Sequence, residues 1–151
     1  MTALHQRAEF VLTDDASRLD LVRVHAWLSN EAYWALGRSL DTVRQAFGKS
    51  RSYGLYREAE QLGVARIVTD GTTFAWICDV FIDSSVRGQG LGHWMMSTIV
   101  SDLTDEGLPR MLLATRDAHG VYADVGFEPL MYPERWMEID KRPNRHTLAQ
   151  T

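Results

Sequence analysis

The residues that could do chemistry are concentrated between positions 79 and 93. Three strand-forming residues, Val80, Phe81 and Ile82, precede a glycine-rich stretch, and apolar residues at helical spacing follow it. Alternating glycines let backbone N–H groups point in one direction, and a helix that begins there adds free donors and the positive end of its dipole. The stretch therefore predicts a phosphate or diphosphate site, the cradle, formed by Arg87, Gly88, Gln89, Gly90, Leu91, Gly92 and His93.

Two other phosphate-binding motifs fit less well. A dinucleotide fingerprint needs Gly-x-Gly-x-x-Gly, whereas the glycines here are at 88, 90 and 92. A Walker loop ending at Gly48-Lys49-Ser50 would need a glycine at position 43, which is Val43. The remaining alternative is a helix-start turn whose glycines serve packing only.

The cradle resembles the acyl-CoA-binding segment of the GNAT family of N-acetyltransferases. The family signature is Gln or Arg, two residues, Gly, one residue, then Gly or Ala, directly after the fourth strand. Arg87, Gly90 and Gly92 match it, while the proline that often precedes it is replaced by Ser84. The resemblance implies acetyl-CoA as the cofactor and acetyl transfer to a primary amine of a small molecule, by direct attack in a ternary complex.

A second motif of the family lies near position 120. The family commonly has Ala, then Phe-Tyr, then Gly-Phe, and the chain has Ala118, Tyr122, Gly126 and Phe127 at this spacing, with Val121 in place of the first Phe. More narrowly, the segments Tyr-Trp-Ala-x-Gly-Arg-Ser and Thr-Arg-Asp-Ala-His-Gly are similar to those of small stand-alone bacterial members.

The resemblance also assigns roles. The backbone of Val80, Phe81 and Ile82 is expected to pair with the pantetheine arm, and one N–H there would polarise the acetyl carbonyl. Tyr122 occupies the position where a tyrosine often protonates the departing thiolate. A phenol with a pKa of about 10 suits that task. The alternative for Tyr122 is a half-buried packing residue.

The general base is harder to assign. An alkylamine is mostly protonated at neutral pH, so its proton must be accepted. Many relatives use a Glu on the fourth strand, at positions that hold Trp76 and Cys78 here. Asp79 is one residue away and would point to the opposite face unless a bulge reorients it. His119, Glu31 and a water relay are the alternatives.

The acceptor is expected to bind near the first two helices. Tyr33, Trp34 and Arg38 lie where the family's helices wall that site. Arg38 could bind a carboxylate of the acceptor, which favours an amino acid or a small acidic amine. The net charge of −4 instead mildly favours a cationic acceptor. Both options stay open.

Composition narrows the class of protein. The chain has 151 residues, 45% of them hydrophobic, and one cysteine, which is typical of a cytoplasmic globular protein. There is no apolar run long enough for a membrane span, no cluster with metal-ligand spacing, and no basic excess to bind nucleic acid. Residues 1–140 are expected to form one domain, with a homodimer as one option, and 141–151 a polar tail.

The periodicity predicts the element order β-α-α-β-β-β-α-β-α-β-β. The resemblance implies an α/β (α+β) fold in which these elements form a mixed, strongly twisted sheet with helices on both faces. Two other functions remain: a non-catalytic acyl-CoA-binding or sensing module, and a protein N-terminal or lysine acetyltransferase. The predicted strands are 9–13, 52–57, 62–68, 72–82, 111–115, 127–131 and 136–139, and the predicted helices are 19–28, 40–49, 90–104 and 118–125.

Overall fold

The computed structural model describes residues 2–143 as a mixed six-stranded sheet with four helices. The strands lie in the order β1 to β6; β1 to β5 are antiparallel neighbours, with α1 and α2 inserted between β2 and β3, and β6 runs parallel to β5. The elements are β1 (Leu4–Arg7), β2 (Phe10–Thr13), α1 (Leu21–Asn30), α2 (Leu40–Gly48), β3 (Arg51–Arg57), β4 (Glu60–Thr69), β5 (Ala75–Ile82), α3 (Leu91–Asp105), β6 (Met111–Leu112) and α4 (His119–Ala123).

Two apolar cores hold the helices against the sheet. The larger core joins α3, through Leu91, Met95 and Ile99, to strand residues such as Leu55 and Ile67. The smaller core joins α1 and α2 to Val64 of β4 and Phe81 of β5; its helical members are Val24, Trp27, Leu28, Val43 and Phe47. The mixed sheet with helices on both faces confirms the predicted fold class.

The helices begin where capping side chains are available. The Asp20 carboxylate accepts the Arg23 N–H and starts α1, and the Ser39 hydroxyl accepts the Thr42 N–H and starts α2. Helix α3 begins after Gly90, which has φ 75° and makes no side-chain cap. No side chain of the described residues therefore caps the first N–H groups of α3.

A β-bulge interrupts β5. Arg66 of β4 pairs with Cys78 and Val64 pairs with Phe81, so Asp79 and Val80 together oppose the single residue between them. Asp79 takes a left-handed conformation, with φ 50°. Among the described strands, none pairs with the other edge of β5 beyond the bulge, because β6 pairs with Ala75 and Trp76.

The first strand differs from the prediction. In place of one strand at 9–13 there is a hairpin of β1 and β2, which turns at Ala8 with φ 52°. The pattern missed β1 because Leu4-His-Gln-Arg7 is largely exposed and has no apolar run. His5 nonetheless reaches α3, where its Nε2 lies 2.9 Å from an Asp102 carboxylate oxygen.

The two predicted closing strands were wrong. Residues 127–131 and 136–139 form no strand in the described chain, and a 3-10 turn covers Pro133–Arg135. Pro129 and Pro133 cannot donate to a ladder, and the two-residue β6 offers little to pair with. β6 is also shorter than the predicted 111–115, and β5 starts at Ala75 because the Asp70 carboxylate binds the N–H groups of Thr72 and Thr73. Residues 144–151 of the predicted tail lie outside the described residues.

Candidate active site

A pocket of about 680 Å³ opens where β5 and β6 separate. This volume suits a small molecule. The lining residues are Tyr33, Trp34, Arg38, Arg66, Trp76, Ile77, Cys78, Asp79, Val80, Leu113, Ala114, Thr115, Arg116, Asp117, Ala118, Tyr122 and Arg142. The structure thus brings together six of the predicted site residues, namely Tyr33, Trp34, Arg38, Asp79, Val80 and Tyr122.

Asp79 is the buried centre of an ion-pair network. Arg38 Nη1 lies 3.1 Å from Oδ1 and 3.0 Å from Oδ2, and Arg66 Nε donates to Oδ2 at 2.7 Å. The indole Nε1 of Trp34 donates to Oδ1 at 2.8 Å. Asp79 is only 3% exposed. The bulge does turn this side chain toward the pocket, but donors already occupy both of its oxygens.

Tyr122 lies on α4 and packs edge-on against Phe127, with ring centroids 6.0 Å apart. Burial raises the pKa of its phenol above the usual value, and the nearby Tyr33 and Asp117 raise it further. Within residues 2–143, no hydrogen bond involves its hydroxyl. The phenol is therefore a protonated donor that lines the pocket without a partner.

The connection from α1 to α2 supplies one wall. The rings of Tyr33 and Trp34 meet edge to face at 5.0 Å. The Tyr33 hydroxyl accepts the Arg116 N–H at 3.0 Å, and the Arg116 guanidinium lies 3.8 Å from the Tyr33 ring centroid. These contacts fix the wall that carries Arg38, and they link it to the loop before α4.

The other candidate bases, His119 and Glu31, and the thiol of Cys78 are poorly placed or poorly activated for catalysis. Burial raises the pKa of Cys78 to about 11, so its sulfur is held as a thiol rather than a nucleophilic thiolate. His119 and Glu31 are exposed and do not line the pocket. Among the described residues, no group of three or more His, Cys, Asp or Glu side chains could hold a metal ion.

The cradle lies at the other end of the free half of β5. Gly88 and Gly90 have φ values of 80° and 75°, a conformation that glycine adopts without strain. Residues 87–90 are exposed, so the turn is not covered by other side chains. Arg87 folds back, with Nε donating to the Ile82 carbonyl at 3.0 Å. The exposed backbone and the uncapped start of α3 fit a diphosphate.

Sequence reasoning missed one basic residue at the cradle. Arg7, at the end of β1, places Nη1 3.4 Å from the Gly90 carbonyl oxygen. The two residues are far apart in the sequence, and only the undetected β1 brings them together. Arg66 of the pocket was missed for the same reason, since nothing local marks a residue that pairs across the fold. Arg116 lies in the Thr-Arg-Asp-Ala-His-Gly segment, but its contact with Tyr33 depends on the fold.

Comparisons with known proteins agree with this geometry. The model of the acetyltransferase (GNAT) family matches residues 21–127. A Gibberella zeae protein whose name describes it as an acetyltransferase is 30% identical over 145 residues, and the match covers 81% of each chain. A crystal structure from Xanthomonas campestris, described as belonging to the GNAT family, is 35% identical with a TM-score of 0.82, covering 87% of this chain and 92% of that one.

A more distant structure shares the fold alone. N-acetylglutamate synthase of Neisseria gonorrhoeae, solved with coenzyme A and N-acetyl-glutamate, is 13% identical, with a TM-score of 0.64. The match covers 99% of this chain and 32% of that one.

The chain therefore belongs to the acetyltransferase (GNAT) family. It is an N-acetyltransferase, an enzyme that moves an acetyl group to an acceptor. None of the helices in the described part of the chain is both long and apolar enough to cross a membrane.

Proposed function

We propose that this enzyme transfers the acetyl group of acetyl-CoA to a primary amine of a small molecule, by direct attack in a ternary complex. The observation that carries the proposal is the free edge of β5. It runs from the pocket beside Tyr122 to the exposed cradle. A ligand with a diphosphate at one end and a reactive group at the other would lie along this edge.

The cradle would hold the coenzyme's phosphates through the backbone N–H groups of residues 88–93, since the Arg87 N–H already donates to the Ser84 carbonyl, and Arg7 would add a positive charge. The free edge of β5 at Val80 to Ile82 would pair with the pantetheine arm, as an added strand pairs with a sheet edge, although the Ile82 carbonyl already accepts a hydrogen bond from Arg87 Nε. When bound, the coenzyme supplies an activated acetyl thioester. An N–H of β5 would polarise the acetyl carbonyl.

Tyr122 is proposed as the general acid. Its phenol is protonated, half-buried and without a hydrogen-bond partner in residues 2–143, so it is available to donate a proton to the departing thiolate. The proton would pass from the tyrosine oxygen to the sulfur as the amine nitrogen bonds to the acetyl carbon.

We propose a positioning role for Asp79 in place of the role of general base. Accepting a proton on either oxygen would displace a donor from Arg38, Arg66 or Trp34. The amine's proton would instead leave through water in the open pocket. Asp79 would hold Arg38 and Trp34 against the acceptor.

The test combines binding and turnover. Calorimetry with acetyl-CoA should give a 1:1 complex, and a thiol-release assay over a panel of amines should find turnover that Tyr122→Phe reduces. Binding without turnover on any amine, together with no effect of Tyr122→Phe, would favour the sensing module. Turnover only on peptides or proteins would favour the protein acetyltransferase.

A further inference from the structure

The pocket contains more positive than negative side chains, although the whole chain has a net charge of −4. Four arginines line it against two aspartates. Two of these arginines have neighbouring partners: Arg116 Nη2 lies 3.0 Å from Asp117, and Arg142 Nη2 lies 2.6 Å from Asp140. The positive excess therefore lies at Arg38 and Arg66.

Arg38 and Arg66 share a single counter-charge. Both pair with Asp79, whose side chain is 1% exposed, while their own side chains are 22% and 17% exposed. One carboxylate cannot neutralise two guanidinium groups, so the cluster carries one net positive charge in a largely water-excluded wall. Such a charge is stabilised by an anion, and it is little screened by salt.

Arg38 also has donors to spare. Only its Nη1 binds Asp79, and within residues 2–143 no hydrogen bond uses its Nε or Nη2. A guanidinium has five N–H donors in a planar fork that matches the oxygens of a carboxylate or phosphate. Trp34 and the bulge hold the shared aspartate, so the orientation of this fork is fixed before any ligand binds.

The same charge acts on the amine itself. An ammonium entering the pocket would be repelled by the cluster, so a second cationic group on the acceptor would be unfavourable. An anionic group on the acceptor would offset that repulsion. The local charge thus opposes the cationic acceptor that the overall charge favours.

We infer that the acceptor is an amine carrying an oxyanion group, a carboxylate or a phosphate, which binds the free face of Arg38 beside Arg66. This inference rests on the proposed function and names its substrate class. Arg38 is the specificity-determining residue, while Asp79 and Trp34 position it.

Matched acceptors test the inference. γ-Aminobutyrate is compared with butylamine, phosphoethanolamine with ethanolamine, and 1,4-diaminobutane serves as the dication. The expected kcat/KM is at least about tenfold higher for the amine that carries the carboxylate or phosphate than for its match without that group, a difference of roughly 1.4 kcal/mol. Which of the two pairs shows the larger ratio distinguishes a carboxylate from a phosphate. Equal or better use of the amines that lack an oxyanion group, or of the diamine, would overturn the inference while leaving the acetyltransferase function intact.

Variants of Arg38 provide a second test of the inference. Arg38→Gln should raise KM for the acceptor with the oxyanion group and remove its advantage in kcat/KM over the matched amine, with the affinity for acetyl-CoA unchanged. Arg38→Lys should restore part of that advantage. Arg44→Gln, on the exposed face of α2, is the control for overall charge. A ratio that survives in a folded Arg38→Gln would contradict the inference.

Direct binding distinguishes failure of the anion site from failure of the proposed acetyl transfer. γ-Aminobutyrate and phosphoethanolamine are titrated calorimetrically into the enzyme with coenzyme A present. Heat from either that is lost in Arg38→Gln supports the anion site even if no amine is acetylated. No heat from either, in an enzyme that does bind coenzyme A, would count against the site.

Discussion

Arg38 Nη1 contacts both carboxylate oxygens of Asp79, at 3.1 and 3.0 Å, across a sequence separation of 41 residues. The contact ties the loop between α1 and α2 to the bulge of β5. The pocket wall formed by the α1–α2 loop and the free edge of β5 are therefore held in one fixed arrangement.

Asp79→Asn tests the weight of this contact. The change leaves two arginines facing a neutral side chain in a buried wall, and losing the charge of such a pair destabilises a fold by roughly 3–5 kcal/mol. Chemical denaturation measures the free energy of unfolding. Asp105→Asn, on the exposed end of α3, is the control and should stay within about 0.5 kcal/mol of wild type. A stable Asp79→Asn protein would mean that Arg38 and Arg66 are solvated in solution.

Tyr122→Phe should lower kcat roughly 10²-fold, as expected for the loss of a general acid. The affinity for acetyl-CoA and the stability should change little, because no described residue hydrogen-bonds to the hydroxyl. The exposed Tyr132 provides the control variant Tyr132→Phe. Equal kcat in the two variants would remove Tyr122 from the mechanism.

The pH profile gives an independent check on Tyr122. Burial raises its pKa above 10, and an acid with a raised pKa keeps its proton up to that higher pH. Activity should therefore fall as pH rises through the raised pKa, and not at neutral pH. The residual activity of Tyr122→Phe should lack this alkaline limb, which stopped assays between pH 7 and 11 would reveal.

Gly90→Ala should weaken acetyl-CoA binding by about tenfold, which corresponds to roughly 1.4 kcal/mol. At φ 75° a β-carbon is strained, and relief of that strain would turn the cradle N–H groups away from the phosphates. Gly71→Ala is a matched control, because Gly71 has φ 76° in a hairpin turn. Both variants should lose about 1 kcal/mol of stability, but only Gly90→Ala should change the dissociation constant.

Arg7→Ala should lower the affinity for acetyl-CoA several-fold, because the guanidinium lies beside Gly90 and would pair with a phosphate. The effect should shrink as salt rises, since this side chain is exposed. Arg44→Ala serves as the comparison. Using 3′-dephospho-acetyl-CoA in the same titration would show whether the 3′-phosphate is the partner. Unchanged affinity at low salt would place Arg7 outside the site.

Two buried tyrosines in β3 should respond oppositely to the same change. The Tyr53 hydroxyl donates to Asp102 at 2.7 Å and accepts from Arg51 at 3.1 Å, so Tyr53→Phe should cost about 1–3 kcal/mol of stability. The Tyr56 hydroxyl is buried without a hydrogen-bond partner among the described residues, so Tyr56→Phe should be neutral or stabilising. Urea denaturation of both variants at pH 7 measures their free energies of unfolding. Similar losses of stability in the two variants would contradict the prediction.

Tyr56 is also expected to lower the stability of the fold at alkaline pH. Burial raises its pKa to about 12, whereas in the unfolded chain it ionises near 10. The folded form keeps the Tyr56 proton to a higher pH than the unfolded chain does. The stability that depends on this neutral phenol is therefore complete below pH 10 and is lost as pH rises from 10 to 12. In Tyr56→Phe this loss should be smaller.

The sequence predicted the parts of the enzyme that depend on neighbouring residues. The four helices, the glycine-rich turn before α3 and Tyr122 on a short helix all follow from local spacing, capping and a family motif, while the phosphate-binding role of the turn stays a prediction. The Asp79 network could not be predicted in the same way, because Arg38, Arg66 and Trp34 reach it only through tertiary packing. The bulge was considered as a condition for Asp79 to face the site, but not the arginines that would then occupy it.

The strand predictions fail for a related reason. Residues 127–131 have strand-like apolar content, but their outcome depended on whether β6 would be long enough to pair with them. The length of β6 is a property of the sheet and not of either segment. The polar β1 was missed for the opposite reason, since its partners β2 and α3 hold a segment whose own pattern is weak.

The two-residue pairing of β5 with β6 has a consequence for engineering. Substitutions that extend this ladder would add hydrogen bonds and raise the melting temperature, yet they would pair the free edge of β5 that the proposed binding of acetyl-CoA requires. Thermostable variants selected without a turnover screen should therefore include inactive proteins altered at this seam.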